Sequence, residues 1–91
     1  MSIKFNQLKN NCYFVEIENI TLLISYESII GFIYNKDILY LNEYYIKYSK
    51  TTSRHINLFK QNLIYNTEKI ITNNDMYLIF KDMKINLNII E

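Results

Sequence analysis

Residues 47–56, with the sequence KYSKTTSRHI, bring together the side chains that could bind an anion. The segment holds two lysines, four serine or threonine hydroxyls, and the only arginine and the only histidine of the chain. A helix N-terminus carries unpaired N–H groups and about half a positive charge, so a helix beginning here would favour a phosphate or carboxylate. The predicted anion or partner site consists of Lys47, Lys50, Thr51, Thr52, Ser53, Arg54 and His55.

The same hydroxyls have a simpler interpretation as a helix N-cap. A side-chain oxygen of Thr51, Thr52 or Ser53 would accept a hydrogen bond from a first-turn N–H group, which is worth about 1 kcal/mol. One cap needs only one hydroxyl, and no Glu or Gln follows three residues later to complete a capping box. Arg54 and His55 are predicted to lie in the first turn, where the partial positive charge of the helix N-terminus disfavours cationic side chains. The sequence predicts an N-cap in this segment, and an anion site beside the cap remains an alternative.

Catalysis would require a nucleophile next to His55, the single candidate base. Cys12 or a nearby serine could be nominated, but no spacing in the sequence places either beside the histidine. Cys12 lies in a β-type pattern and is interpreted as structural. One histidine and scattered carboxylates supply no metal-ligand spacing. We therefore expect no enzyme activity, no metal and no cofactor.

Tyrosines precede the basic segment at positions 40, 44, 45 and 48. Tyrosine offers a large rigid contact area with a polar tip, which suits recognition surfaces. The chain is rich in Ile, Asn, Lys and Tyr, as expected of AT-biased codons, so about half of this cluster is assigned to the core. Tyr44 and Tyr45 are predicted to join the contact surface, together with Lys36 in a neighbouring turn. Stacking beside cations would also suit single-stranded nucleic acid.

Hydrophobic period two dominates the first half of the chain and predicts a series of antiparallel strands. Ile20 begins a nearly continuous apolar run that is typical of a central strand covered on both faces. Asn35, Lys36 and Asp37 separate two apolar runs and predict a hairpin turn. Gly31 indicates a bulge or a close backbone approach. The predicted strands contain Ile3 and Phe5, then Tyr13, Val15 and Ile17, then residues 20–26, 29–34, 38–41 and 44–48.

Helical periodicity replaces the strand pattern in the second half. An amphipathic helix is predicted at about residues 53–65, and a second one follows a cap at Asn73, Asn74 or Asp75. A short β-branched segment, residues 69–72, separates them, and Ile85, Leu87 and Ile89 predict a last strand. The predicted fold class is α+β, an antiparallel sheet with two short helices packed on one face or end of it.

Length and composition limit the remaining possibilities. Ninety-one residues form one domain, residues 1–91, and the net charge of +1 gives no overall attraction to nucleic acid or anionic membrane. A lone cysteine suits a reducing cytoplasm, and no apolar run approaches the roughly 18 residues that span a bilayer. No signal peptide is evident. We expect a soluble cytoplasmic protein with no membrane partner.

Residues 25–59 resemble a family of small uncharacterised proteins common in bacteriophages and other mobile elements. The resemblance is carried by a Ser-Tyr start to a strand, a short hairpin, and a Tyr-Ser-x-Thr-Thr-Ser-Arg/Lys-His segment entering a helix. It covers a little over a third of the chain, and the pair Ile30-Gly31 departs from the family pattern. The matching residues are Ser25, Tyr26, Tyr48, Ser49, Thr51, Thr52, Ser53, Arg54 and His55. The resemblance implies a setting, in a phage or mobile element, and carries no known activity.

These observations predict a non-enzymatic binding protein acting in the cytoplasm of a bacterial host. Its expected partner is a host protein or ribonucleoprotein, and its expected action is inhibition of a nucleic-acid-targeting defence system such as a CRISPR effector. Direct nucleic-acid binding through the basic segment is the alternative. Self-assembly through a sheet edge is a third possibility, because the chain has many β-rich segments and no proline. The sequence does not define an oligomeric state.

Overall fold

The computed structural model describes residues 3–47 and 49–82. Six strands and three helices make up this part of the chain, and they are numbered in chain order. The strands are β1 (Ile3–Lys9), β2 (Cys12–Ile17), β3 (Ile20–Ser25), β4 (Ser28–Tyr34), β5 (Ile38–Asn42) and β6 (Thr67–Ile71). The helices are α1 (Glu43–Ile46), α2 (Lys50–Asn62) and α3 (Asn73–Asp82). The predicted α+β class is confirmed.

The sheet has the strand order β1-β2-β3-β4-β5-β6, so each strand lies beside its neighbour in sequence. The first five strands form an antiparallel meander joined by short turns. Asn11 and Asn35 occupy positive φ in two of these turns, the conformation that asparagine tolerates better than most residues. Every residue of β3 is buried, which confirms the predicted central strand. Glu18 and Tyr26 hold positive φ in the other two turns, so asparagine replaces glycine in only part of the meander.

Gly31 lies at a β-bulge, as its sequence position indicates. The β3–β4 register shifts between Leu23 and Ile24, opposite this part of β4. A Cβ atom at position 31 would overlap the carbonyl oxygen of Tyr40 on the adjacent strand. The bulge places Ile30 and Ile33 in the same core cluster. Both parts of the prediction, the bulge and the close backbone approach, are confirmed.

The two longer helices pack on opposite faces of the sheet, whereas the sequence predicts a single face or end. Ile56 and Phe59 of α2 join a core cluster with Leu23 and Leu39. Met76 and Phe80 of α3 join a second cluster on the other face. Strand β6 pairs with β5 in parallel, so α1 and α2 together form the crossover between these two strands. The crossover places α2 on one face of the sheet, and α3, which follows β6, packs on the other.

Several predicted boundaries are corrected by the structure. The predicted strand at residues 44–48 is wrong for residues 44–46, which belong to α1. Asn42 turns the chain there because its side-chain oxygen accepts a hydrogen bond from the Tyr44 N–H group at 3.0 Å. Helix α2 begins and ends three residues earlier than predicted. Thr72 caps α3 by accepting from the Asp75 N–H group at 3.0 Å. The predicted strand of Ile85, Leu87 and Ile89 lies outside the described residues.

Candidate binding surface

The N-cap of α2 is Ser49, and this corrects the prediction of Thr51, Thr52 or Ser53. The Ser49 Oγ atom accepts a hydrogen bond from the Thr52 N–H group at 3.1 Å and donates one to Thr52 Oγ1 at the same distance. Thr52 therefore occupies the third helical position, where a capping box would have Glu or Gln. Arg54 and His55 lie beyond the first turn, so the helix dipole penalty expected for them does not arise.

A shallow depression, which we call the basic groove, lies at the start of α2. It is lined by Lys47, Ser49, Lys50, Ser53 and Arg54. The three cationic side chains are exposed, and none forms an ion pair with the described residues. The ion pair in the described part of the chain joins Lys60 and Glu68, away from this groove. The basic groove is thus a local concentration of positive charge on a nearly neutral protein.

Helix α1 ends at Ile46, immediately before the first residue of the basic groove. The Ser53 hydroxyl donates to the carbonyl oxygen of Ile46 at 3.4 Å, which joins the end of α1 to the first turns of α2. Tyr44 is 62% exposed, and its ring meets that of Tyr45 edge-on at 4.9 Å. Tyr45 is only half-buried. Both predicted tyrosines are accessible on the segment that leads into the basic groove.

The other two tyrosines of the cluster differ from Tyr44 and Tyr45. Tyr40 stacks on Phe32 with ring centroids 4.8 Å apart, and it packs against the α3-side core. Its role is structural, in agreement with the expectation that part of the cluster is core. Tyr48 lies outside the described residues.

His55 is buried, although the sequence places it in the contact surface. It is 4% exposed, and its Nδ1 atom shares a 2.7 Å hydrogen bond with the Oγ atom of Ser25, which is 3% exposed. The ring of Tyr26 lies 5.7 Å from the imidazole ring. Thr52, also 4% exposed, is buried beside the cap. Neither His55 nor Thr52 is available to a partner in this conformation.

The Ser25–His55 pair has the composition of a nucleophile and a base, and Cys12 lies directly opposite Ser25 on β2. Burial, and secondarily the charge of Lys9, hold the pKa of His55 below its ordinary value of 6.5. A general base must take up a proton, and this environment opposes the charged imidazole. Burial likewise raises the pKa of the Cys12 thiol, which disfavours the reactive thiolate. The Ser25–His55 hydrogen bond therefore has a structural role, in which it joins α2 to β3.

Lys36 lies apart from the basic groove. It occupies the β4–β5 turn at a positive φ, and the next residue, Asp37, accepts backbone hydrogen bonds from Asn66 and Thr67 after the end of α2. This turn is therefore near the C-terminal end of α2, whereas the basic groove is at its start. Thr51, which is half-buried, remains beside the groove in the first turn. The predicted surface is thus reduced to one patch around Lys47, Lys50, Ser53 and Arg54.

The sequence analysis named Ser25 and Ser49 among the residues that carry the family resemblance, but it gave neither a role of its own. The spacing of Ser49 and Thr52 is a cap signal, because the N-cap side chain bonds the third helical residue. Ser25 has no comparable signal, because 30 positions separate it from His55. Among residues 3–47 and 49–82, no group of three or more His, Cys, Asp or Glu side chains could hold a metal ion. In the same ranges, no helix has the length and apolar character needed to cross a bilayer.

The fold and the surface define a small α+β protein with a six-stranded, mostly antiparallel sheet and a basic groove where its longest helix begins. Residues 2–78 match the model of a protein family described as a family of unknown function, DUF8033. The chain belongs to this family, and its expected membership of an uncharacterised family is confirmed. No curated protein and no solved structure matches the chain.

Proposed function

We propose that this protein is a non-catalytic binding protein that recognises an acidic surface on a host protein or ribonucleoprotein through the basic groove. The observation that carries the proposal is the set of exposed cations at Lys47, Lys50 and Arg54, none of which forms an ion pair with a residue that the structure describes. Exposed cations contribute little to the stability of the fold. They attract an acidic partner and increase the rate of association, particularly when they are clustered.

Tyr44 extends this surface with an aromatic side chain. Exposed tyrosines are enriched at protein interfaces because they bury a large area at a low entropic cost. Carboxylates of a partner would pair with the guanidinium of Arg54, which offers five donors, and with the lysine ammonium groups. Cations beside an exposed ring provide both the charge and the contact area that a protein interface requires.

The proposed setting is a bacteriophage or mobile element acting in the cytoplasm of a bacterial host. Support comes from the resemblance of residues 25–59 to small phage-type proteins and from the small size of the chain. In this setting the acidic partner is a component of a nucleic-acid-targeting defence system such as a CRISPR effector. Binding would inhibit that system by occupying its surface, without a chemical step.

The first test is affinity capture from a bacterial host lysate, divided into nuclease-treated and untreated halves and analysed by mass spectrometry. A protein captured in both halves supports the proposal. The captured protein is then purified and titrated against Lys50→Gln/Arg54→Gln, with Lys36→Gln/Lys81→Gln as a control of equal charge change. We expect about tenfold weaker binding for the first variant, or ~1.4 kcal/mol, and little change for the control. Equal effects in both variants would contradict the role of the basic groove.

Direct nucleic-acid binding is the second candidate, and the exposed ring of Tyr44, three positions before Lys47 in the chain, favours it. Bases stack on aromatic rings while lysine and arginine contact phosphates. The test is the affinity for a single-stranded oligothymidylate, measured by fluorescence anisotropy over a range of salt concentrations. Loss of two phosphate contacts in Lys50→Gln/Arg54→Gln should reduce the salt slope by about 1.4. A slope that is equal in the variant and the wild type would exclude phosphate binding at this groove.

A further inference from the structure

A second groove, which we call the aromatic groove, is lined by the sheet, the β3–β4 turn and helix α3. Its residues on the sheet include Tyr13, Ile24 and Ile29, which lie side by side across β2, β3 and β4. Its volume is about 800 Å³. Sites for small molecules have volumes of roughly 300–1,000 Å³ and are lined mainly by apolar and aromatic side chains with a few polar groups. The aromatic groove matches this description.

Helix α3 contributes one of its faces to the aromatic groove. The contributing positions are spaced at i, i+3, i+4 and i+7, so they lie along one side of the helix. These residues are Asn73, Met76, Tyr77 and Phe80.

Aromatic side chains are the most prominent feature of this groove. Phe5 and Tyr77 are each 60% exposed, and Tyr26 is 50% exposed. Several large exposed rings gathered in one depression indicate a surface that binds another molecule. The aromatic residues that line the groove are Phe5, Tyr13, Tyr26, Tyr45, Tyr77 and Phe80.

Glu27 determines the charge that this groove favours. It is the one charged residue among the described residues that line the groove. Its side chain is exposed and forms no ion pair with the described part of the chain. The faces of aromatic rings carry partial negative charge and attract cations. A carboxylate beside such rings therefore favours a cation and repels phosphates and carboxylates.

Tyr26 has an unusual backbone conformation next to Glu27. Its φ angle is 58°, in the left-handed region, which is unfavourable for a residue with a large side chain. Its ring lies 5.7 Å from the buried imidazole of His55, yet half of the side chain stays exposed. Residues held in such conformations are concentrated at ligand-binding sites. The conformation of Tyr26 is consistent with a recognition role for its ring.

We propose that the aromatic groove binds a small organic cation. An ammonium group is held by the carboxylate of Glu27 and by the rings of Tyr26 and Tyr77, and the apolar body attached to it packs on Tyr13 and Phe80. The ligand class follows from the volume of the groove, its rings and its single carboxylate. The lysines and the arginine of the basic groove do not line this second groove, so the inference does not depend on the proposed function.

The first experiment is a nuclear magnetic resonance titration of the full-length protein with benzyltrimethylammonium chloride. We expect amide shifts at Glu27, Ser28, Met76 and Tyr77, with a dissociation constant on the order of a few millimolar. Phenylmethanesulfonate has a similar shape and the opposite charge, and it should bind at least about tenfold more weakly at the same ionic strength. Equal affinity for the two probes, or no shifts at these four residues, would overturn the proposal.

The same titration separates a small ligand from a cationic segment of a protein. The peptide acetyl-Gly-Lys-Gly-amide carries one positive charge, as the ammonium probe does. We expect it to bind several-fold more weakly, because its flexible side chain places less apolar surface against the rings. Tighter binding of the peptide at the same residues would assign the groove to a protein partner and overturn the small-molecule assignment.

A pair of matched substitutions tests the role of the carboxylate. Glu27→Gln removes the charge from the groove, whereas Glu18→Gln removes an equal charge at the opposite end of β3. We expect about fivefold to tenfold weaker binding of benzyltrimethylammonium to Glu27→Gln and little change for Glu18→Gln. Equal effects in the two variants would contradict a role for Glu27.

A second pair tests the aromatic ring of Tyr77. Tyr77→Leu keeps an apolar side chain on α3 but removes the ring, and Leu78→Ala shortens an exposed neighbour that does not line the groove. Binding of the probe should weaken about threefold or more in Tyr77→Leu and should be unchanged in Leu78→Ala. Melting temperatures of both variants show whether the fold is retained. Unchanged affinity in a folded Tyr77→Leu variant would rule out the predicted contact between the cation and this ring.

Discussion

Replacing Ser25 by alanine should weaken the fold through one buried hydrogen bond. The Ser25 hydroxyl and the His55 ring nitrogen are 2.7 Å apart, and both residues are buried. The substitution removes a single oxygen atom, so the loss of packing is small. It also leaves a buried ring nitrogen without its partner, which costs about 1–3 kcal/mol. For a domain of this size we expect the melting temperature to fall by about 4–8 °C for each kcal/mol.

Ser28→Ala is the matched control for this experiment. Ser28 pairs with Ser25 across the β3–β4 turn, is half-buried, and makes no side-chain hydrogen bond with the described residues. Its replacement should change the free energy of unfolding by less than about 0.5 kcal/mol. Both variants are measured by urea denaturation at pH 8, where His55 is neutral.

A double-mutant cycle with His55→Leu isolates the interaction between the two side chains. Ser25→Ala should cost much less in that background, because the ring nitrogen is no longer present to be left unpaired. Equal losses for Ser25→Ala and Ser28→Ala would refute the argument. An unchanged cost of Ser25→Ala in the His55→Leu background would also refute it.

Three further changes test other parts of the structure. The folded-state pKa of His55 lies below 6.5, so the unfolded chain binds a proton at a higher pH than the folded protein does. The free energy of unfolding should therefore decrease as the pH falls below about 6.5. Urea titrations at several pH values should show a weaker pH dependence for His55→Gln. Gly31→Ala should destabilise the protein by roughly 1–3 kcal/mol, since its Cβ would meet the Tyr40 carbonyl oxygen; a melting temperature equal to that of the wild type would rule out the close approach. Ser49→Ala should cost about 1 kcal/mol by circular dichroism melting, whereas Thr51→Ala should be nearly neutral, and the reverse order would assign the cap to Thr51.

The strands were largely predictable because their signals are local. Alternating residues such as Tyr13, Val15 and Ile17 define a strand, and the asparagines at positions 10, 11 and 35 mark the turns that end strands. The continuous apolar run of β3 also predicted a central strand covered on both faces. The prediction that both helices pack on one face or end of the sheet was wrong, because local patterns do not define the face on which a helix packs. The face that α2 covers depends on the parallel β5–β6 crossover, which no local pattern reveals.

Helix α1 and the Ser25–His55 bond were less accessible to sequence reasoning. Tyr44 and Tyr45 have strand propensity, but the side chain of Asn42 ends β5 and caps a helical turn instead. The basic groove was partly predicted, because its cations lie within a few positions in sequence. Burial of His55 was not predicted, since the bond that holds it connects segments 30 residues apart.

The parallel pairing of β6 with β5 has a consequence for the order of folding. Strands β1 to β5 meet only through short turns, so their hairpins close with little loss of chain entropy and can form during synthesis. Strand β6 pairs with β5 only after the whole crossover, residues 43–66, has been made and placed. Until then β5 is an open sheet edge on the nascent chain, where pairing with another polypeptide competes. Pairing of β6 with β5 closes this edge. Rapid synthesis of the second half of the chain therefore shortens the time in which the open edge can cause aggregation.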